Sequence, residues 1–265
     1  MTGDKYDNIR KYSIGIRKEK LNFNSEYIKP ASNYYVGWVD LMGAGHTMTT
    51  SVQKSANFLA RLHMSVAQSM HEVQFDGEIL AINDGVFIIS KSKIDIQSII
   101  GRILILLSAN FIAIPRPHDR FLLRGAIAYG PVYFGDQIIQ GVIPKKMRTK
   151  VEGFLDRVMF GPALIQAYQA ESKAPPYGIA IHETARAFCP DGETPFRLTH
   201  WPWWAPNEEV KYPKSLPPMT TFKDCLSKEL DAHFTWMKDT AIFHSLDAAK
   251  IDHWRRICGE YFKIG

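Results

Sequence analysis

Two acidic side chains offer the most specific chemistry in this sequence. Asp40 ends the apolar run Tyr34-Tyr35-Val36-Gly37-Trp38-Val39, and Asp84 sits in Asn83-Asp84-Gly85 between Ile79-Leu80-Ala81-Ile82 and Val86-Phe87-Ile88-Ile89. Each terminates a strand-like stretch. On neighbouring strands, both carboxylates would emerge at one end of a sheet, where they could share hard divalent cations of the kind used in phosphoryl transfer. A nucleotide-processing enzyme is the leading expectation. Taken singly, each aspartate also has a bland explanation: Asn-Asp-Gly is ordinary hairpin chemistry, and Asp40 could cap a following helix.

The elements that must position this pair follow from periodicity. Tyr34 to Leu41 reads as a strand that turns through Met42-Gly43-Ala44-Gly45. Val52, Ala56, Leu59, His63, Val66 and Met70 step by four and three, which predicts a helix over about Thr49 to His71 with those residues inward. Val73 to Ile82 and Val86 to Ser90 flank Asn-Asp-Gly as an antiparallel hairpin. A second helix is expected over Ile94 to Ala113. A strand over Arg120 to Tyr129 should then turn at Gly130-Pro131 into Val132 to Gly135. Gly161-Pro162 opens a helix to about Glu171, a strand follows near Tyr177 to His182, and one or two helices lie between Thr221 and Tyr261. The core order, β-α-β-β-α-β, is that of an α+β, ferredoxin-like split βαβ sheet, in which the first strand and the second hairpin strand are neighbours.

Composition narrows the class. A chain of 265 residues with 46% hydrophobic residues can bury a substantial core. The 32 basic and 27 acidic residues are interspersed, so nucleic acid is not an expected partner. Cys189, Cys225 and Cys258 are scattered and odd in number, suggesting neither disulfides nor zinc and fitting a reducing cytoplasm. Met1 to Lys20 has no apolar stretch of signal-peptide length. The apolar stretch Ile99 to Ile114 falls short of the roughly 20 residues a membrane crossing needs, and reads as a buried helix. Expected boundaries are an N-terminal segment over 1–30, a catalytic domain over 31–186, and a Pro/Trp-rich segment with helices over 187–265 packed on that domain.

Four motifs in order, Asp40-Leu41-Met42-Gly43, Asn83-Asp84-Gly85, Arg124-Gly125-Ala126-Ile127 and Gly161-Pro162-Ala163-Leu164, together resemble class III nucleotidyl cyclases over roughly Tyr34 to Thr184. The resemblance implies the split βαβ fold and a homodimer with active sites between protomers. It also implies two Mg²⁺ or Mn²⁺ ions held by Asp40, Asp84 and the backbone carbonyl of Leu41. The implied reaction is attack of a ribose 3′-oxygen on the α-phosphate of a nucleoside triphosphate, with pyrophosphate leaving. Backbone N–H groups of Met42, Gly43 and Ala44 would face the phosphates.

Departures from the family pattern shape the substrate expectation. Where purine cyclases carry an asparagine and an arginine, this chain has Ile165 and Gln169; where adenylyl cyclases read adenine, it has Leu80 and Val158. Buried adenine would leave polar groups unpaired at roughly 1–3 kcal/mol each. In this the chain resembles the Pycsar pyrimidine cyclases of bacterial anti-phage defence, which implies UTP converted to cyclic UMP and a separate effector that reads the product. Cyclic CMP from CTP, or a catalytically silent nucleotide-binding module, are the alternatives. Arg124 is the first choice for a cation offsetting transition-state charge, with Lys145, Lys146 and Arg157 behind it. Tyr168 and Gln169 are candidate base or ribose contacts, and His46 is an open candidate. His63 is expected in the core, and Trp201, Trp203 and Trp204 are expected to anchor a loop by packing.

Overall fold

The computed structural model describes residues 6–18, 30–135, 137, 153, 157–205, 216–241 and 247–263. The chain divides into two compact units: residues 33–130 with 163–265, and residues 1–32 with 131–162.

The larger unit carries the sheet. β1 (Ser32–Met42) leads through α2 (Ala44–Thr50) and α3 (Val52–Val73) to the hairpin β2 (Glu78–Ile82) and β3 (Gly85–Ser90). Then come α4 (Lys93–Ala113), β4 (Leu122–Phe134), α5 (Pro162–Glu171), β6 (Ile179–Ile181), α6 (Glu183–Ala187) and β7 (His200–Trp201). α7 (Met219–Asp239) and α8 (Ala248–Tyr261) close the chain. The strand order β2-β3-β1-β4-β6-β7 contains the expected ferredoxin-like core, with β3 and β1 as adjacent antiparallel strands. β6 extends that core by pairing parallel to β4. The architecture is thus α+β, a mixed sheet with helices packed on it.

Why the sheet folds this way is visible in its burial. Val36, Val39, Val86, Ile88 and Leu123 are wholly inaccessible, as apolar strands covered by helices require. α4 supplies much of that cover: Ile96, Ile99, Ile100, Ile103, Leu104 and Leu107 are fully enclosed. The 21-residue helix is long and apolar enough to cross a membrane, which corrects the shorter stretch read from the sequence. Its enclosed side chains nonetheless make it a core helix. Ser92 starts it by accepting a hydrogen bond from the Asp95 backbone N–H at 3.2 Å, and Ser51 does the same for α3 from Lys54 at 3.3 Å.

Several expectations are corrected. α3 buries Ser55, Phe58, Leu62, Ser65, Val66 and Ser69, while Val52 and Ala56 face solvent. The apolar count put the stripe a fraction of a turn away because serine is small enough to fit beneath a close-packed helix. His63 is accordingly half-buried at the margin, outside the core. α3 runs on to Val73, where Gln74 turns left-handed (φ 53°) and its N–H caps Met70, so β2 begins only at Glu78. α2 was not expected at all. Gly130-Pro131 is no turn: β4 continues through it to Phe134, because proline's fixed φ is compatible with extended backbone and costs only one N–H. In the smaller unit, Tyr133 and Phe134 at the end of β4 pair with Phe160 and Met159 of β5 (Met159–Phe160). That unit also holds α1 (Asp7–Lys18) within the polar amino-terminal stretch, where no element was expected. The Lys145–Lys150 loop lies outside the described residues.

The tryptophan cluster packs as expected. Trp203 is fully buried and its indole N–H donates to the Tyr177 carbonyl at 2.9 Å. Trp204 stacks edge-on against Tyr261 at 4.5 Å and leans on Phe262 at 4.6 Å. These contacts tie the carboxyl-terminal helix to the sheet. α7 meets α4 through the edge-to-face contact of His233 on Phe111, and the segment leading into β4 through the Arg120–Glu229 ion pair at 2.9 Å.

Candidate active site

The geometry of the aspartate pair follows from strand register. Asp40 lies opposite Gly85 across the β1–β3 ladder, and the Leu41 N–H donates to the Asp84 carbonyl at 3.1 Å. Asp84 occupies the second position of the two-residue turn between Ile82 and Gly85, with Asn83 left-handed at φ 50°. Two residues far apart in sequence therefore reach the same sheet end. Gly85 is required for space and not for turn conformation. A Cβ there would fall 2.3 Å from the Trp38 ring and 3.0 Å from Asp40 Oδ1, so only glycine lets β3 pass beneath both side chains.

Charge at this end is out of balance. The Asp40 carboxyl is pushed up to about 7 by burial first, then by the negative charges of Asp84 and Glu171. The Arg124 guanidinium and the Leu41 backbone N–H act in the opposite direction. Among the described residues, three carboxylates thus face one cation, and that cation is engaged. Arg124 on β4 forms an ion pair with Glu171 at the end of α5, and its Nη1 donates to the Ser172 carbonyl at 3.4 Å.

Glu171, 7% exposed, is the residue that sequence reasoning missed. The signal was present: an acidic residue closing an apolar helix, with an arginine in an apolar strand to receive it. Such a buried charge almost always has a partner.

Beside the carboxylates lies an apolar row. Leu80 pairs with Phe87, which pairs with Trp38, across three adjacent strands. Trp38 stands two residues before Asp40, so this row shares its face. Phe87 and Tyr168 flank the Trp38 ring, at 4.4 and 5.6 Å between centroids. Tyr168 is therefore beside the row, with most of its surface in solvent. Ile165 and Gln169 are exposed on α5.

The remaining candidates are more scattered. Leu41 is buried, Met42 ends β1, and Gly43 turns out of it, left-handed at φ 75°. Ala44 is buried at the start of the seven-residue α2. His46 is exposed on α2. Val158 belongs to the smaller unit, where its carbonyl accepts from the Gly135 N–H at 2.8 Å, and Arg157 beside it is exposed. Lys145 and Lys146 lie outside the described residues.

Among the described residues no cluster of three or more histidine, cysteine or acidic side chains could hold a metal ion. Two carboxylates with surplus negative charge nonetheless fit a divalent cation. Magnesium sites in phosphoryl-transfer enzymes use one or two carboxylates, with water and substrate phosphate completing the shell.

No family model matches the chain, and no curated protein matches it. Among solved structures, it is similar to the crystal structure of the guanylyl cyclase Cya2, at 14% identity and a TM-score of 0.44, covering 63% of this chain and 90% of that one. It is also similar to the structure of a bacterial light-regulated adenylyl cyclase, at 16% identity and a TM-score of 0.44, covering 85% of this chain and 71% of that one.

Proposed function

We propose that the chain is a nucleotidyl cyclase that converts UTP to 3′,5′-cyclic UMP and pyrophosphate. The observation that carries this reading is the convergence of Asp40 and Asp84 at one end of adjacent strands, where negative charge exceeds positive among the described residues. Asp40, Asp84 and the Leu41 carbonyl would hold two Mg²⁺ or Mn²⁺ ions. When bound there, such ions lower the pKa of the attacking hydroxyl and neutralise the triphosphate.

The protein's own part is positioning. Gly85 fixes the approach of the two carboxylates, which orients whatever they hold. The Leu80–Phe87–Trp38 row offers an apolar wall on the same face, where a base could lie without the hydrogen-bonding partners that adenine requires. That counts against adenine without itself selecting a pyrimidine, and it is the resemblance to pyrimidine cyclases that favours UTP. Arg124, the choice for stabilising transition-state charge, is released for that role only if substrate displaces Glu171. The same resemblance supports a homodimeric cytoplasmic enzyme whose product signals phage infection to a separate effector.

Incubating the purified protein with UTP, CTP, ATP or GTP and Mn²⁺, with products separated by chromatography, tests this. Cyclic UMP as the main product is expected. Cyclic CMP would shift the substrate, and no cyclic product from any of the four would end the reading. One observation favours a second reading, a silent nucleotide-binding module: Arg124 is already neutralised by Glu171. Its signature is saturable nucleotide binding with no turnover.

A further inference from the structure

A cavity of about 550 Å³ lies beside the β1–α2 turn, under the two carboxyl-terminal helices. Met42, Gly43, α2 and the start of α3 form one side of it. Trp236 of α7 and Trp254 of α8 form the other. Neither Asp40 nor Asp84 lines it, so it is separate from the carboxylate pair although it shares the turn that follows Asp40. Its size suits one small organic molecule.

The wall chemistry is selective. Phe58, Trp236 and Trp254 supply flat aromatic surface, which favours a planar ring. Among the described residues, no aspartate or glutamate lines the cavity, while Lys54 and Arg120 do. The two cations are not equivalent. Arg120 is committed to Glu229 at 2.9 Å and to the Ile114 carbonyl at 2.8 Å. Lys54 sits over the Phe58 ring at 5.5 Å and has no acidic partner among the described residues. A third wall residue, His233, is 4% exposed and leaves Nδ1 without a hydrogen-bond partner. An orphaned buried polar atom on a cavity wall calls for a partner, and a bound ligand can supply one.

From this geometry we infer that the cavity binds a small planar aromatic anion, its ring between the tryptophans and Phe58 and its negative group on the Lys54 ammonium. A nucleoside monophosphate and an aromatic carboxylate share that chemistry. The site goes beyond the cyclase reading and does not depend on it.

Isothermal titration of the full chain with uridine 5′-monophosphate, indole-3-acetate and neutral indole tests the assignment. Saturable binding of at least one anion is expected. It should be about tenfold weaker in Lys54→Gln, weakened again in Trp254→Leu, and unchanged in Asp40→Asn. Binding of the monophosphate alone identifies a nucleotide source, and binding of the indole acid alone an aromatic acid. Absence of binding by both anions overturns the inference. So does indole binding as tightly as indole-3-acetate, or monophosphate binding that falls in Asp40→Asn and survives in Lys54→Gln. Because Lys54 is only half-buried, its variant is expected to fold, and unchanged thermal unfolding checks that.

Discussion

The β1–β3 end of the sheet and the carboxyl-terminal tryptophan region solve opposite problems. Around Trp203 every large ring is enclosed, and the indole and phenol groups of Trp203, Tyr177 and Tyr261 donate to backbone carbonyls. Around Asp40 the like charges of Asp84 and Glu171 add to the cost of burial. A region built only for stability does not leave such repulsion in place, because removing it is easy and most functional sites are where such costs are kept. On the proposed reading, the contrast separates what holds the protein together from what it is for.

That contrast can be broken most sharply at the carboxylates. Asp40→Asn and Asp84→Asn should each lower turnover by about 10³-fold or more, on the scale of losing a preorganised charge-stabilising group. Neither should lower the unfolding midpoint, since each relieves repulsion. A variant that keeps activity, or one that unfolds, would show that the pair is structural.

Trp203→Ala should do the reverse. Removing a fully buried indole is expected to cost about 3–5 kcal/mol, measured by denaturant unfolding, while the activity of the remaining folded molecules persists. A smaller effect on stability combined with lost activity would move function into this region.

The helix cover can be probed by acid. Burial pushes the His233 imidazole down to about 4, with the nearby Arg120 and Lys54 charges adding to the effect. The unfolded chain therefore takes up this proton first as pH falls. Stability should be full above about 6.5 and decline toward pH 4, by up to about 3 kcal/mol from this group. His233→Leu should flatten that part of the stability–pH curve. An unchanged slope would show that His233 does not titrate between the two states.

A smaller effect is expected at the start of α3. Ser51→Ala removes the side-chain acceptor for the Lys54 N–H and should cost about 1 kcal/mol in chemical denaturation. Turnover should be unaffected, which keeps the helix scaffold distinct from the acidic end.

How much of this was legible in the sequence depended on the range of the signal. The β1 run, the Asn-Asp-Gly hairpin and α4 carry their pattern within ten to twenty residues, and all three are present. α2 was hidden because seven residues containing a glycine and three threonines have little helix propensity of their own. The inward face of α3 was misplaced because three of its six buried residues are serines, which hydropathy counts as outward. The β4 strand ran past Gly130-Pro131 because tertiary context overrode a local turn signal. The adjacency of Asp40 and Asp84 could be anticipated from element order. For Arg124 and Glu171 the sequence shows two charges set in apolar elements, but not that they meet, because nothing local connects a strand to the end of a helix 47 residues later.

Titration of the protein with Mn²⁺ in the presence of a non-hydrolysable UTP analogue, followed by electron paramagnetic resonance of free manganese, tests the central claim most directly. Bound Mn²⁺ should appear in the wild type and be lost in both Asp40→Asn and Asp84→Asn. Manganese uptake that is the same in all three proteins would contradict it.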